Sequence, residues 1–419
     1  KTIYLMTDGS YDPTKVHIIT SVNEIVVSIA SNDATQPVEN VIIDNVAIQH
    51  GAWNIGRTEQ VNSASAAFLT SVALFIANAP AILISNVEIS HTDSYGLRIR
   101  EGTLNGNFTN SLVNDIGACG VWMTDISILA NSNKILSNEI SYGGNVFPSS
   151  VGVLVFRSFG IVIADNTIHH HRYNENICWF SKWLHSIMDI KDFNLRNLYI
   201  YNIGQHILCD QGDIYTIDIQ PGTVIHSNVY LDDGASDMIV SNNVVSNTGG
   251  SSMFQHDGAN NTIINNVVAR ASLIQPPQPG DPMPDGDVRI QLAENHTSWI
   301  YTRNIVYDTF QGTNHSVFKS DPHVIASFSN NVYYNSYGTP LLFGSKQTSF
   351  FEWQKSGQHN GSVIADRLFA GDVNQCDFFT VQLESSAAKL KFVNLTKLST
   401  WTPGCSVDDG IDHNQLYHW

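Results

Sequence analysis

Short runs of β-branched and other apolar residues, each broken by an asparagine, recur along most of the chain: VIIDNVAI, ILISNVEI, ILSNEI, IVIADNTI, MIVSNNVV, TIINNVV, IYTRNIVY and ASFSNNVYY. Each run suits a strand and is too short for a helix, and the polar residue inside it marks a turn. The marker residues Asn86, Asn110, Asn138, Asn166, Asn197 and Asn228 lie 24, 28, 28, 31 and 31 positions apart, and Asn243 and Asn266 are 23 apart. A period of this length, with two or three strands per unit, predicts a parallel β-helix. The expected architecture is an all-β, single-stranded, right-handed parallel β-helix over residues 35–345. Lead-in strands over 1–34 would precede it, and a loop-rich tail over 346–419 would pack along its outside.

Stacking is the physical reason for the repeat. One coil cannot bury its own apolar face, so the coil beneath must supply the rest of the core. Strands about 4.8 Å apart then align like residues with like. Asparagine tolerates the left-handed turn conformation and its amide bonds to backbone, so the marker asparagines are expected to form structural ladders. A propeller or sandwich of antiparallel hairpins would need Asn-Gly turns between paired strands, which are rare here.

One pair of repeats carries acids. YLDDGASDMIVSNNVVSN and FQHDGANNTIINNVVAR both contain Asp-Gly-Ala ahead of the strand, with Asp257 24 positions after Asp233 and Asp210 23 positions before it. If each interval is one coil, the three aspartates form a column with their carboxylates about 5 Å apart, an arrangement that marks sites more often than scaffolds. Asp-Gly is also an ordinary turn sequence, and for Asp257 the turn reading weighs as much as the site reading. Asp232, Asp213, Tyr215, Tyr230, His206 and His256 gather around the same segments.

Composition narrows the partners. The 419 residues are 42% hydrophobic and 14% charged, with 38 acids against 21 Lys and Arg. The resulting charge of −17 repels nucleic acid and disfavours polyanionic substrates. Cys119, Cys178, Cys209, Cys376 and Cys405 show no metal-ligand spacing; Cys119 reads as a buried free thiol, and a Cys376–Cys405 bridge is balanced against free thiols. Six Asn-x-Ser/Thr sequons match the number expected by chance and so are no evidence about the compartment, although a glycoprotein is the expected class. The uncharged stretch Gln60–Val87 is interrupted by Asn62, Asn78 and Pro80 and reads as buried coil rather than a membrane span. HHHRY at His169–Tyr173 reads as coil or glycan-contact residues rather than metal ligands, and Trp179, Phe180 and Trp183 are sugar-stacking or half-buried aromatics. No cofactor is expected, apart from a minor calcium option at Asp281, Asp285 and Asp287 in the Pro-rich insertion QPPQPGDPMPDGD.

Several ordered segments, HTDSYGLRIREGTLNGNFTNSLVNDIGACGV, DNTIHHHRYNENICWFSKW, YNIGQHILCDQGDIYT and PGTVIHSNVYLDDGASDMIVSNNVVSN, resemble β-helix glycoside hydrolases of the family 141 type. The tail FFEWQKSGQHNGSVIADRLFAGDVNQCDFFTVQLESSAAKLKF is similar to the closing pattern of that family. The resemblance implies a secreted, extracellular protein that hydrolyses a complex neutral glycan. It places the family's acid-bearing segments on Asp210 and on Asp232–Asp233, with Asp210 and Asp233 as the expected catalytic pair and Asp232 or Asp213 in support. Tyr215, His206, His256, Asp257 and Trp183 are the expected substrate contacts. The chain departs from the pattern in three places. Asp-Gly-Gly becomes Asp210-Gln211-Gly212 followed by Asp213, Asn243 follows Asn228 by only 15 positions, and Lys1 enters at an interior point of the family pattern. The last departure suggests a partial chain whose exposed coil edge promotes self-association. A non-catalytic fibre, adhesin or scaffold component is the alternative, and a polysaccharide lyase ranks third because cations are scarce across 171–260.

Overall fold

The structure is a computed structural model that describes residues 12, 15, 19–53, 71–123, 130–156, 158–172, 191–201, 212, 214–225, 229–246, 248, 251–269, 286–291, 296–312, 314–366, 369, 381–382 and 384–392, with Asp233 described by its backbone alone. Its strands are short and pair in parallel with the strand one coil away, apart from one antiparallel pair of Leu341–Phe343 with Thr348–Ser349. The chain is a parallel β-helix.

Three kinds of sheet run along the axis. A middle sheet of 11 strands extends from Ile42–Asp44 to Ile325–Ser329. Among the described residues an entry sheet precedes it, five-stranded from Val27–Ala30 to Val153–Val155 and seven-stranded from Ile214–Ile219 onward. An exit sheet follows, six-stranded from Ala47–Gln49 to Tyr199–Tyr201 and five-stranded from Val244–Ser246 to Val363–Ile364.

Register explains the core. Ile84, Phe108, Ile135, Ile163, Leu195, Ile225, Val240, Ile263, Tyr301 and Phe328 pair one above the other through the middle sheet. All ten are buried, because successive strand residues face alternately inward and outward and this position always faces in.

The marker asparagines divide into two ladders one position apart. Asn86, Asn110 and Asn197 take the left-handed conformation at the turn from middle to exit sheet, as do Ser137 and Asp165 on coils without an asparagine there. The next residue points inward. Asn138, Asn166, Asn243 and Asn266 occupy that buried position, and the Asn243 N–H donates to Asn266 Oδ1 at 3.0 Å as the Asn266 N–H does to Asn304 Oδ1 at 2.9 Å. Where the inner asparagine is missing a serine substitutes: Ser111 Oγ accepts the Val87 N–H and Ser362 Oγ accepts the Asn331 N–H. Asn228 lies outside the described residues.

The far end is closed by a short helix, Phe350–Lys355, whose Ser349 N-cap forms a reciprocal capping box with Glu352. Phe350 and Trp353 cover the last core rings, and His359, fully buried among them, shares a hydrogen bond of 3.0 Å with the Tyr333 hydroxyl. A solenoid end left bare would expose strand edges to another chain, and this cap covers one.

Candidate active site on the entry sheet

Coil length changes abruptly at the site. Tyr215 pairs with Tyr230 and Val224 with Ile239, so this coil advances the chain by only 15 positions. Pro221-Gly222 makes a tight turn into the two-residue strand Val224–Ile225, Gly222 having φ +77° and the Thr223 N–H reaching Gln220 O at 3.2 Å. The next entry strand opens at Val229, and among the described residues the exit sheet is interrupted between Tyr199–Tyr201 and Val244–Ser246.

The short coil corrects the aspartate column. Asp232 lies in register with Ile217, 15 positions earlier, so the 23-position step from Asp210 to Asp233 is not one coil. The step upward from there does span one: Tyr230 pairs with Phe254, and Asp232 meets His256. Between Ile217↔Asp232 and Ile219↔Ser236 the upper strand also carries two extra residues, a bulge at Asp233-Gly234-Ala235 in which Gly234 has φ +83°. Such bulges re-aim side chains at the rim of a sheet.

Asp232, the last residue in register before the bulge, is gripped from two sides. The Tyr215 hydroxyl donates to Asp232 Oδ2 from the coil below, in a short hydrogen bond. His256 Nδ1 lies 2.8 Å from Asp232 Oδ1 on the coil above and donates to it when that nitrogen carries the proton. Each carboxylate oxygen thus has its own partner, which fixes the plane of the group. The Asp232 side chain is 11% exposed and that of His256 31%, so the pair reaches the surface on the histidine side.

An aromatic strip runs beside this trio. Tyr215 and Tyr230 meet edge to face at 4.8 Å between centroids, and Tyr230 and Phe254 lie 4.7 Å apart. The strip continues in register to Arg289 and Lys319, with the Arg289 guanidinium 5.4 Å from the centre of the Phe254 ring. A count of charges confined to 171–260 misses these two cations. The signal that finds them is strand alternation carried forward coil by coil from Phe254. Gly212 presses on the other end: a Cβ there would fall 2.8 Å from Tyr230 Cβ, so this close approach requires glycine.

Of the expected substrate contacts, Tyr215 and His256 converge on Asp232. Asp257 does not. It has φ +70° and its Oδ1 accepts the N–H of Gly258, a turn role. Asp210, Asp213, His206, Trp183, Trp179 and Phe180 lie outside the described residues, as does the side chain of Asp233. The triple histidine separates as its neighbours dictate: His169 stacks on Tyr201, His170 stacks on Tyr142 at the turn, and His171 is fully buried. Cys119 is a buried free cysteine whose thiol burial pushes up to about 11, while Cys376 and Cys405 lie outside the described residues.

Two other groupings of titratable side chains stand out. A surface concavity of about 260 Å³ is bordered by His50, His91, Asp93, Asp115 and Asn145, with His91 Nδ1 2.7 Å from Asp115 Oδ2. His50, His91 and Asp115 all have positive φ, so they are the turn ladder of the exit sheet, and His91 and Asp115 are half exposed. Inside the fold, Asp287, Asp308 and His315 converge. Asp287, expected beside Asp281 and Asp285, which lie outside the described residues, instead sits fully buried 2.9 Å from His315 Nε2. Burial pushes the Asp287 carboxyl up to about 6 against the pull of His315. Burial pulls His315 down, but the carboxylates beside it outweigh that and hold it up at about 9.

Comparison with known proteins agrees with this architecture. Residues 72–274 match the family described as right handed beta helix region. No curated protein matches the chain. Among solved structures, a glycoside hydrolase aligns over 81% of this chain and 53% of its own, at 13% identity and a TM-score of 0.45. The chain thus spans about half the length of that structure. The A-module of an Azotobacter vinelandii mannuronan C-5 epimerase aligns over 80% of this chain and 92% of its own, at 12% identity and TM-score 0.45. A tailspike protein of a Pseudomonas phage aligns over 65% and 46%, at 12% identity and TM-score 0.42. Among the described residues no helix is long and apolar enough to cross a membrane. The fold of this chain is a right-handed parallel β-helix.

Proposed function

We propose that the chain is an extracellular carbohydrate-active β-helix that cleaves a glycan at Asp232. The observation that carries this reading is the Tyr215–Asp232–His256 arrangement, a largely buried carboxylate with a separate partner on each oxygen, beside an aromatic strip on one sheet. A carboxylate so oriented suits the base or nucleophile of glycosidic bond cleavage, which needs a second carboxylic acid to protonate the leaving oxygen. Asp210 or Asp233 is the proposed second acid. Phe254 and the edge of His256 would face the sugar rings, with His206, Asp213 and Trp183 as further contacts on the flanking segments. The reaction so written uses no cofactor.

The Arg289–Lys319 extension of the strip favours a second reading. A guanidinium in line with the aromatic residues suits a uronate carboxylate, and neutralising that carboxylate is what β-elimination from an acidic polysaccharide requires. Tyr215 or His256 would then be the proton-abstracting group. The two readings separate in one experiment: purified protein is incubated with panels of neutral and of uronate-containing oligosaccharides, and released reducing ends and new unsaturated-uronate absorbance are both recorded. Reducing ends from neutral glycans without absorbance support hydrolysis, and absorbance from uronates supports elimination. Silence on both panels, together with no binding of either, would leave a scaffold role.

A further inference from the structure

We propose that Asp287, Asp308 and His315 form an internal site for one divalent transition-metal cation of the zinc class. The three residues come from successive corners of the solenoid. Asp287 precedes the entry strand Val288–Gln291, Asp308 ends the exit strand Ile305–Asp308 of the same coil, and His315 opens the next entry strand, His315–Ser320. All three are buried, and one donor atom from each lies within 4.8 Å of the others.

Hydrogen bonding alone does not account for this geometry. His315 Nε2 is 2.9 Å from Asp287 Oδ2 and 3.5 Å from Asp308 Oδ2, yet it carries at most one proton. Among the described residues the Oδ1 atoms of both aspartates are buried without a hydrogen-bond partner. Two carboxylates against one imidazolium leave an uncompensated negative charge in a buried position, which is costly; a divalent cation bound by two carboxylates and a neutral imidazole removes it. The spacing fits as well. Ligands at about 2.0–2.2 Å from a tetrahedral or octahedral ion stand roughly 2.8–3.6 Å apart, the range in which both nitrogen–oxygen separations fall.

Independent groups around the cluster point the same way. Asp308 Oδ2 accepts from Asn335 Nδ2 at 2.6 Å and from the Phe310 N–H at 3.1 Å, the kind of outer support that orients a ligating carboxylate. An imidazole donor beside only two carboxylates favours zinc-class ions over calcium, which takes six to eight oxygens. The ion would hold the last coils together, away from Asp232.

The test is elemental analysis of the purified full chain, expressed with Zn2+ in the medium and dialysed against EDTA to strip loosely held ions. About one zinc-class metal ion per chain is expected to survive dialysis, as is a melting temperature about 5 °C above that of protein expressed without added metal. The paired substitution Asp287→Asn and His315→Gln should abolish the retained metal; if that protein does not fold, Asp308→Asn serves in its place. Wild-type protein with less than about a tenth of an equivalent of any first-row metal would overturn the assignment. So would retention undiminished in the variants, which would place the ion on the surface histidines.

Discussion

Asn243 gives both its backbone N–H, at 3.0 Å, and its side-chain amide, at 2.7 Å, to the same oxygen, Oδ1 of Asn266 one coil above. Asn266 repeats the pattern on Asn304 with two bonds of 2.9 Å, and Asn304 passes it on to Asn331. From Asn266 to Asn331 each inner asparagine therefore satisfies the turn backbone of the coil below while its own backbone is satisfied from above.

Substituting Asn266 by alanine strands the Asn243 N–H in the interior and leaves its side-chain amide only the 3.4 Å bond to the Ile225 carbonyl. A loss of about 1–3 kcal/mol in unfolding free energy is expected, measured by denaturant titration, with glycan binding unchanged in the folded protein. Asn243→Ala removes an Oδ1 that accepts no hydrogen bond among the described residues and an amide that donates to Asn266 Oδ1 and, at 3.4 Å, to the Ile225 carbonyl below, and should cost less. Unchanged stability together with lost binding would reverse the assignment.

Asp232→Asn keeps the shape of the side chain and removes its charge. Under the proposed function it lowers turnover on the identified glycan by at least about 100-fold while the far-ultraviolet spectrum and melting temperature stay near those of the wild type. Tyr215→Phe removes one of the two partners and should reduce kcat more than it raises KM. Asp210→Asn and Asp233→Asn test the second carboxylate; if neither lowers the rate, the paired-acid reading is wrong and Asp232 acts with another group.

Arg289→Ala distinguishes substrates. The guanidinium lies over Phe254 on the same strip, so its loss should weaken binding of uronate-containing oligosaccharides by about tenfold or more and leave neutral ones within about twofold. Equal effects on both would confine Arg289 to packing on Phe254.

Burial holds His359 and His171 neutral, with pKa lowered to about 3 in each. Unfolding returns them to ordinary histidine behaviour, so between pH 3 and 6.5 the unfolded chain binds more protons and stability falls as pH drops below about 6.5. At pH 4.5 each costs about 2–3 kcal/mol relative to pH 7. Denaturation curves at the two pH values should show this loss, and His359→Gln should remove its share while leaving the slope from His171. An identical slope in the variant would mean that His359 does not stay neutral in the folded state.

The solenoid is legible in the sequence alone. Apolar runs with an asparagine at intervals of 23 to 31 positions leave few folds in which every run finds a partner, and stacking places Ile84, Phe108, Ile135 and their successors in one buried column. The repeats also single out Asp232, Tyr215 and His256 as neighbours of the site. How those three meet depends on the tertiary fold. Strands stack at one rung whatever the length of the turns between them, so a fixed sequence step equals one coil only where no turn has been shortened or extended. The shortened coil breaks that equality, placing Ile217, only 15 positions back, opposite Asp232, and plain strand alternation from Tyr230 sets the face that acid takes. The same physics hides Arg289 and Lys319 from the site, and Asp308 and His315 from Asp287. Residues distant in sequence become neighbours only once the intervening loops have fixed how much chain each coil consumes.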